Sequence, residues 1–91
     1  MHYRLGDNIS LTELEDEAVL LDLSSGSYYG LNAVGARYLT LLTEGASDEE
    51  CARQIAREYA QSPVLVSTDL AELRVDLLAN GLIIAHAGTD G

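Results

Sequence analysis

The stretch Ala18-Val19-Leu20-Leu21-Asp22-Leu23-Ser24-Ser25-Gly26-Ser27-Tyr28-Tyr29-Gly30-Leu31-Asn32 decides how this chain folds. Its first six residues are apolar almost without a break, which suits a strand with a neighbour on each side. Ser24-Ser25-Gly26 is hairpin chemistry, because glycine takes a positive φ at no steric cost. Ser27 to Leu31 then resumes in aromatic, strand-favouring residues. At Asn32 the hydrophobic period changes from two to about 3.6, the period of a helix.

Upstream of this stretch, Ile9 to Leu14 alternates apolar and polar side chains, as in a strand with one wet face. Glu15-Asp16-Glu17 separates it from Ala18 as a solvated turn. The three strands therefore form an antiparallel meander, with Ala18–Leu23 central and Ser27–Leu31 at an edge.

Downstream, Asn32 caps a helix whose Val34, Tyr38, Leu41 and Leu42 share a stripe and which ends near Glu44-Gly45. Ser47-Asp48-Glu49-Glu50 reads as a capping box opening a second helix. That helix turns Ala52, Ile55, Ala56 and Tyr59 inward, and Arg53, Arg57 and Glu58 to water. A third helix starts at Ser62-Pro63 or a turn later at Ser67, and runs to Asn80-Gly81. It carries two apolar sets: Leu70, Leu73 and Leu77 below Val66, and Ala71, Val75 and Leu78. Two such faces imply deep burial, or one face for the core and one for a guest. Leu82-Ile83-Ile84-Ala85 is expected as a short extended segment before a flexible tail over 86–91. The reading is one α+β domain over residues 1–91, with its core at about 9–85: a three-stranded antiparallel meander followed by three helices.

Composition sets the function classes. Ninety-one residues with 47% hydrophobic and 22% charged side chains suit a single folded core. Fifteen acidic residues against five arginines give a formal net charge of -10. Such a chain lacks the cations that nucleic-acid binding draws on, so a neutral or cationic polypeptide partner fits better. No apolar run reaches the length of a membrane span, and Met1-His2-Tyr3-Arg4 does not open like a secretion signal, which points to the cytoplasm. One cysteine, Cys51, and two distant histidines, His2 and His86, leave no internal disulfide, metal site or cofactor to expect.

Two segments stand out as sites. The third strand lies at a sheet edge, so one row of its amides and carbonyls has no partner and can recruit a strand. Gly30 removes a side chain there, and Tyr28 and Tyr29 project to opposite sides of the sheet. The plainer alternative is that Gly30 eases the turn into the helix and both tyrosines are structural. The last helix is the second segment: Asp69 and Arg74 sit among leucines, and Arg74 suits a guest carboxylate or carbonyl. Its plainer alternative is a solvated network with Glu72 or Asp76. Cys51 reads as a small buried hydrophobe, and Glu13, Glu15, Asp16 and Glu17 as a wet turn rather than a calcium loop. Ser24 and Ser25 have no local histidine, so nothing looks catalytic.

Val19 to Ala36, with its apolar strand, serine-glycine hairpin, aromatic pair and Leu-Asn helix start, resembles the core of the PqqD-like family of peptide-recognition elements. Asp69-Leu70 through Leu77-Leu78-Ala79-Asn80-Gly81-Leu82 resembles the closing helix of that family and its Gly-Leu exit, so the likeness runs from about Leu11 to Ile84. The resemblance implies a winged helix-turn-helix-like domain, not an enzyme, that holds the leader of a ribosomally made precursor peptide as an extra strand. Its length and free-standing form look most like the leader-binding protein of lasso-peptide clusters, which works with a leader peptidase and a macrocycle-forming synthetase. Stand-alone relatives also serve radical-enzyme and cofactor pathways. Carried over by position, the implied site is Tyr28, Tyr29, Gly30 and Leu31 with Asp69, Leu70, Leu73, Arg74 and Leu77.

Three other readings remain open at this point. A winged-helix transcription regulator shares the fold but is disfavoured by charge. An adaptor would bind only protein partners, and a second copy could cover the open edge to make a dimer.

Overall fold

A computed structural model describes residues 1–86. The chain runs β1 (His2–Leu5), β2 (Ile9–Glu13), β3 (Ala18–Asp22), β4 (Tyr28–Leu31), α1 (Ala33–Thr43), α2 (Asp48–Glu58), α3 (Pro63–Ala79) and β5 (Ile83–His86). The expected meander is present as β2-β3-β4, antiparallel with β3 in the middle, in the register Ile9↔Asp22 and Val19↔Gly30. The three helices follow it, giving the α+β class.

Each turn has a local cause. Between β3 and β4 the Asp22 carboxylate accepts the amides of Ser24 and Ser25, and the Gly26 amide, at φ +79°, donates to the Asp22 carbonyl. Asn32 caps α1 by accepting the Gly35 amide. Ser47 and Glu50 form the expected capping box on α2. Pro63 is the first residue of α3, and Ser62 occupies the cap position without a side-chain bond, so the earlier of the two expected starts is the one used.

The sequence reading missed β1. The extended segment expected at Leu82–Ala85 is present as β5, and it pairs antiparallel with β1 from His2↔His86 to Leu5↔Ile83, as a two-stranded ribbon separate from the meander. His-Tyr-Arg-Leu is too short to show a period, and its partner lies at the far end of the chain. Of the tail expected to be flexible over 86–91, His86 is instead paired in the ribbon, and the rest lies outside the described residues.

The core joins both sheets to the helices. Leu20, Tyr38, Leu39, Cys51, Ile55, Leu70, Leu77 and Ile83 are fully buried, each large apolar side chain contributing about 1.5–3 kcal/mol. The Tyr38 hydroxyl donates to Asp48 Oδ1 at 2.7 Å, and Arg74 donates to Asp48 Oδ2 at 2.5 Å, so one partly buried carboxylate ties α1 and α3 to the start of α2. Burial and the bond to Asp48 hold the Tyr38 hydroxyl well above the usual phenol range.

Several side chains face differently from expectation. Leu14 and Leu23 fall just past their strands and are exposed, and Tyr59, at the end of α2, is more exposed than its stripe suggests. On α3 only Val66, Leu70 and Leu77 are buried; of the second apolar set, Ala71 is half-buried while Leu78 and Val75 turn to solvent, with Val75 65% exposed.

Candidate functional site

Among the described residues, the third expected strand, β4, has a neighbour on one side only. Its pairing parity decides which groups face the open side. In an antiparallel ladder, residues alternate between bonding one neighbour and bonding the other. The Asp22 amide bonds the Ser27 carbonyl, and the Leu23 and Leu14 amides bond the Asn8 and Glu17 carbonyls across the β2-β3 pair. Alternation then assigns Leu20 and Ala18 to bonds with Tyr29 and Leu31. The N–H and C=O groups of Tyr28 and Gly30 consequently point away from β3, along the open edge.

Beside that edge, α3 closes a trough. A cavity of about 430 Å³ is lined by Tyr29, Gly30 and Leu31 of β4, by Asn32, Val34 and Gly35 at the start of α1, and by Asp69, Leu70, Glu72 and Leu73 of α3. Leu31 and Leu70 form a buried floor, and Leu73 a half-buried wall. Gly35 makes that floor possible: a Cβ there would come within 3.3 Å of both Leu31 and Leu73, tighter than ordinary packing. The trough is apolar at its base and acidic along its α3 rim, and no cation among the described residues lines it.

Tyr29 bounds the trough at one end. Its hydroxyl donates to Asp76 Oδ2 at 3.3 Å, linking β4 to α3. Burial, then the neighbouring Asp76 carboxylate, raise its pKa. On the other side of Tyr29 lies a second cavity of about 190 Å³, lined by Asp22, Ser25, Ser27, Tyr28, Asn80 and Leu82. A third hollow, of about 200 Å³, sits between the acidic turn Glu15-Asp16-Glu17 and α1, and reaches the meander at Glu13, the last residue of its other outer strand, β2. Among the described residues, no three His, Cys, Asp or Glu side chains converge where they could hold a metal ion.

Of the residues named from sequence, the structure brings Tyr29, Gly30, Leu31, Asp69, Leu70 and Leu73 to one trough, with Tyr28 on the opposite face of β4, 77% exposed. It places Arg74 and Leu77 elsewhere. Arg74 turns from the trough towards α2, where Asp48 engages its guanidinium and Tyr3 lies under it at 6.0 Å. Leu77 is 0% exposed, a core residue. Sequence reasoning missed Glu72, Asn32, Val34, Gly35 and Asp76. Glu72 was detectable, since it follows Asp69 by one helical turn and so shares its side of α3. Gly35 could be recognised only once Leu73 was known to pack against it.

No curated protein matches the chain. A solved structure described as TbiB1 in complex with the TbiA(beta) leader peptide superposes with a TM-score of 0.84 at 36% identity, covering 92% of this chain and 98% of that one. A second, a lasso peptide synthetase B1 complexed with its leader peptide, gives 0.83 at 30% identity, covering 93% of this chain and all of the other. The family described as coenzyme PQQ synthesis protein D matches residues 17–83, from the end of the acidic turn to the start of β5, and the chain belongs to this PqqD family.

Proposed function

We propose that this protein binds the leader segment of a ribosomally made precursor peptide as an additional strand on β4, within the trough closed by α3. The observation that carries this is the coincidence of outward-pointing Tyr28 and Gly30 backbone groups with a trough, floored by Leu31 and Leu70, on the same flank. Main-chain hydrogen bonds supply affinity, and guest side chains that enter the trough over Leu31, Leu70 and Leu73 supply selectivity. The leader peptides held by the two solved relatives support this assignment.

The bound precursor is then presented, in the cytoplasm, to a leader peptidase and a macrocycle-forming synthetase of lasso-peptide biosynthesis. The domain itself is a carrier without catalytic chemistry. Its formal net charge of -10, with Asp69 and Glu72 at the rim, favours a leader bearing a lysine or arginine and speeds its association.

The test is calorimetry with the leader of the precursor peptide encoded beside this chain. Binding in the micromolar range or tighter, about -8 kcal/mol or more favourable, is expected. Absence of heat at tens of micromolar contradicts the assignment.

A further inference from the structure

Gly30 is unexplained by its own chain. Its φ lies outside the left-handed region, so no backbone conformation requires a glycine, and a Cβ at this position would meet nothing within 4 Å among the described residues. Glycine inside a strand is less favourable than alanine, because it loses more backbone freedom on folding. The free domain therefore gains nothing from the missing side chain.

The strand register shows what the gap exposes. Leu31 and Tyr29 share the helix-facing side of the sheet with Ala18 and Leu20, so Gly30 and Tyr28 belong to the outer face. There Thr12, Val19 and Gly30 form one cross-strand row, and Ser10, Leu21 and Tyr28 the next. Val19 and Leu21 are half-buried, and Tyr28 stands exposed beside them. The missing Cβ leaves Val19 uncovered on the side of the open edge.

Resting on the strand-addition reading above, we propose that the guest is read on both faces: one large apolar side chain, aromatic or β-branched, lies on the outer face across Gly30, against Val19 and beside Tyr28. A guest residue opposite Gly30 projects onto this same face, with its Cβ about 4.5–5.5 Å from the position a Gly30 Cβ would take, and a long or branched side chain reaches Val19 only because none stands between. Tyr28 lies on the diagonal, about 7–8 Å away, within reach of an aromatic ring. The residues flanking that guest position point to the other face, into the trough. The recognised segment thus carries apolar residues consecutively, not in the polar–apolar alternation of a strand read on one side.

The test uses phage-displayed random twelve-residue peptides selected on the wild-type domain, followed by synthetic copies of the selected peptides titrated against wild type, Gly30→Ala and Gly30→Val. Selected peptides are expected to share adjacent large apolar residues. Gly30→Val is expected to weaken binding at least tenfold with no loss of Tm, and Gly30→Ala less. Shortening one guest residue to alanine should restore binding to Gly30→Val while weakening binding to wild type. Binding to Gly30→Val within twofold of wild type, or loss with no rescuing guest position, overturns the proposal. A wild-type domain that selects no peptide overturns strand addition itself, and this proposal with it.

Discussion

The Tyr29 hydroxyl and the Asp76 carboxylate meet at 3.3 Å across the trough, so β4 and α3 are joined at one end of the channel that a guest strand would occupy. The bond is long and solvent-accessible, which limits its contribution to stability. Tyr29→Phe is expected to lower unfolding free energy by less than about 1 kcal/mol and to leave leader affinity within threefold. Tyr29→Ala removes the wall itself and is expected to weaken binding at least tenfold. Chemical denaturation and calorimetry on the two variants separate the ring from the hydroxyl.

Residues of α3 divide by the direction they face. Leu73→Ala, on the half-buried trough wall, should weaken leader binding severalfold or more with a small change in Tm. Leu77→Ala empties a fully buried position and should cost about 2–5 kcal/mol of stability. Arg74→Ala leaves the Asp48 carboxylate with Tyr38 alone and should cost about 1–3 kcal/mol, with little effect on affinity for the remaining folded protein. Binding lost in Arg74→Ala at unchanged Tm would return that residue to the site.

The acidic rim gives a salt signature. For a leader carrying a lysine or arginine, raising ionic strength from about 0.01 to 0.5 M shortens the screening length several-fold and should slow association much more than it speeds dissociation. Asp69→Asn with Glu72→Gln should flatten that dependence. Stopped-flow measurements across salt report both.

Cys51 offers a check on the core that is independent of the site. It is fully buried, and burial, with the Asp48 and Glu50 carboxylates adding to it, pushes its thiol up to about 12. At pH 8 roughly one thiol in ten thousand is thiolate, so iodoacetamide should leave the native protein unmodified for hours and label it quickly in denaturant. Rapid labelling of the folded protein would contradict the placement of α2.

The meander, three helices and two caps were legible in the sequence because each is written locally: the alternation of Ile9 to Leu14, the Ser24-Ser25-Gly26 turn, and the reciprocal Ser47 and Glu50 bonds. So was the outer position of β4, on which half of the candidate site rests, since an edge strand announces itself by its place at the end of a meander. The ribbon of His2–Leu5 with Ile83–His86 was not legible as a pair, because neither segment is long enough to show a period and the pairing spans the chain. Arg74 was misdirected for a related reason. Helical spacing places it near Leu70 and Leu77, but only the packing of α2 supplies Asp48, the stronger partner, on the other side of α3.

Amide hydrogen exchange at two residues bears most directly on strand addition. In the free domain the Tyr28 and Gly30 amides, which face the open edge of β4, should exchange quickly, while those of Tyr29 and Leu31, bonded to β3, are protected. On addition of the leader the account predicts strong new protection at Tyr28 and Gly30. Protection of those two amides already present in the free domain, or exchange that stays fast in a saturated complex, would contradict it.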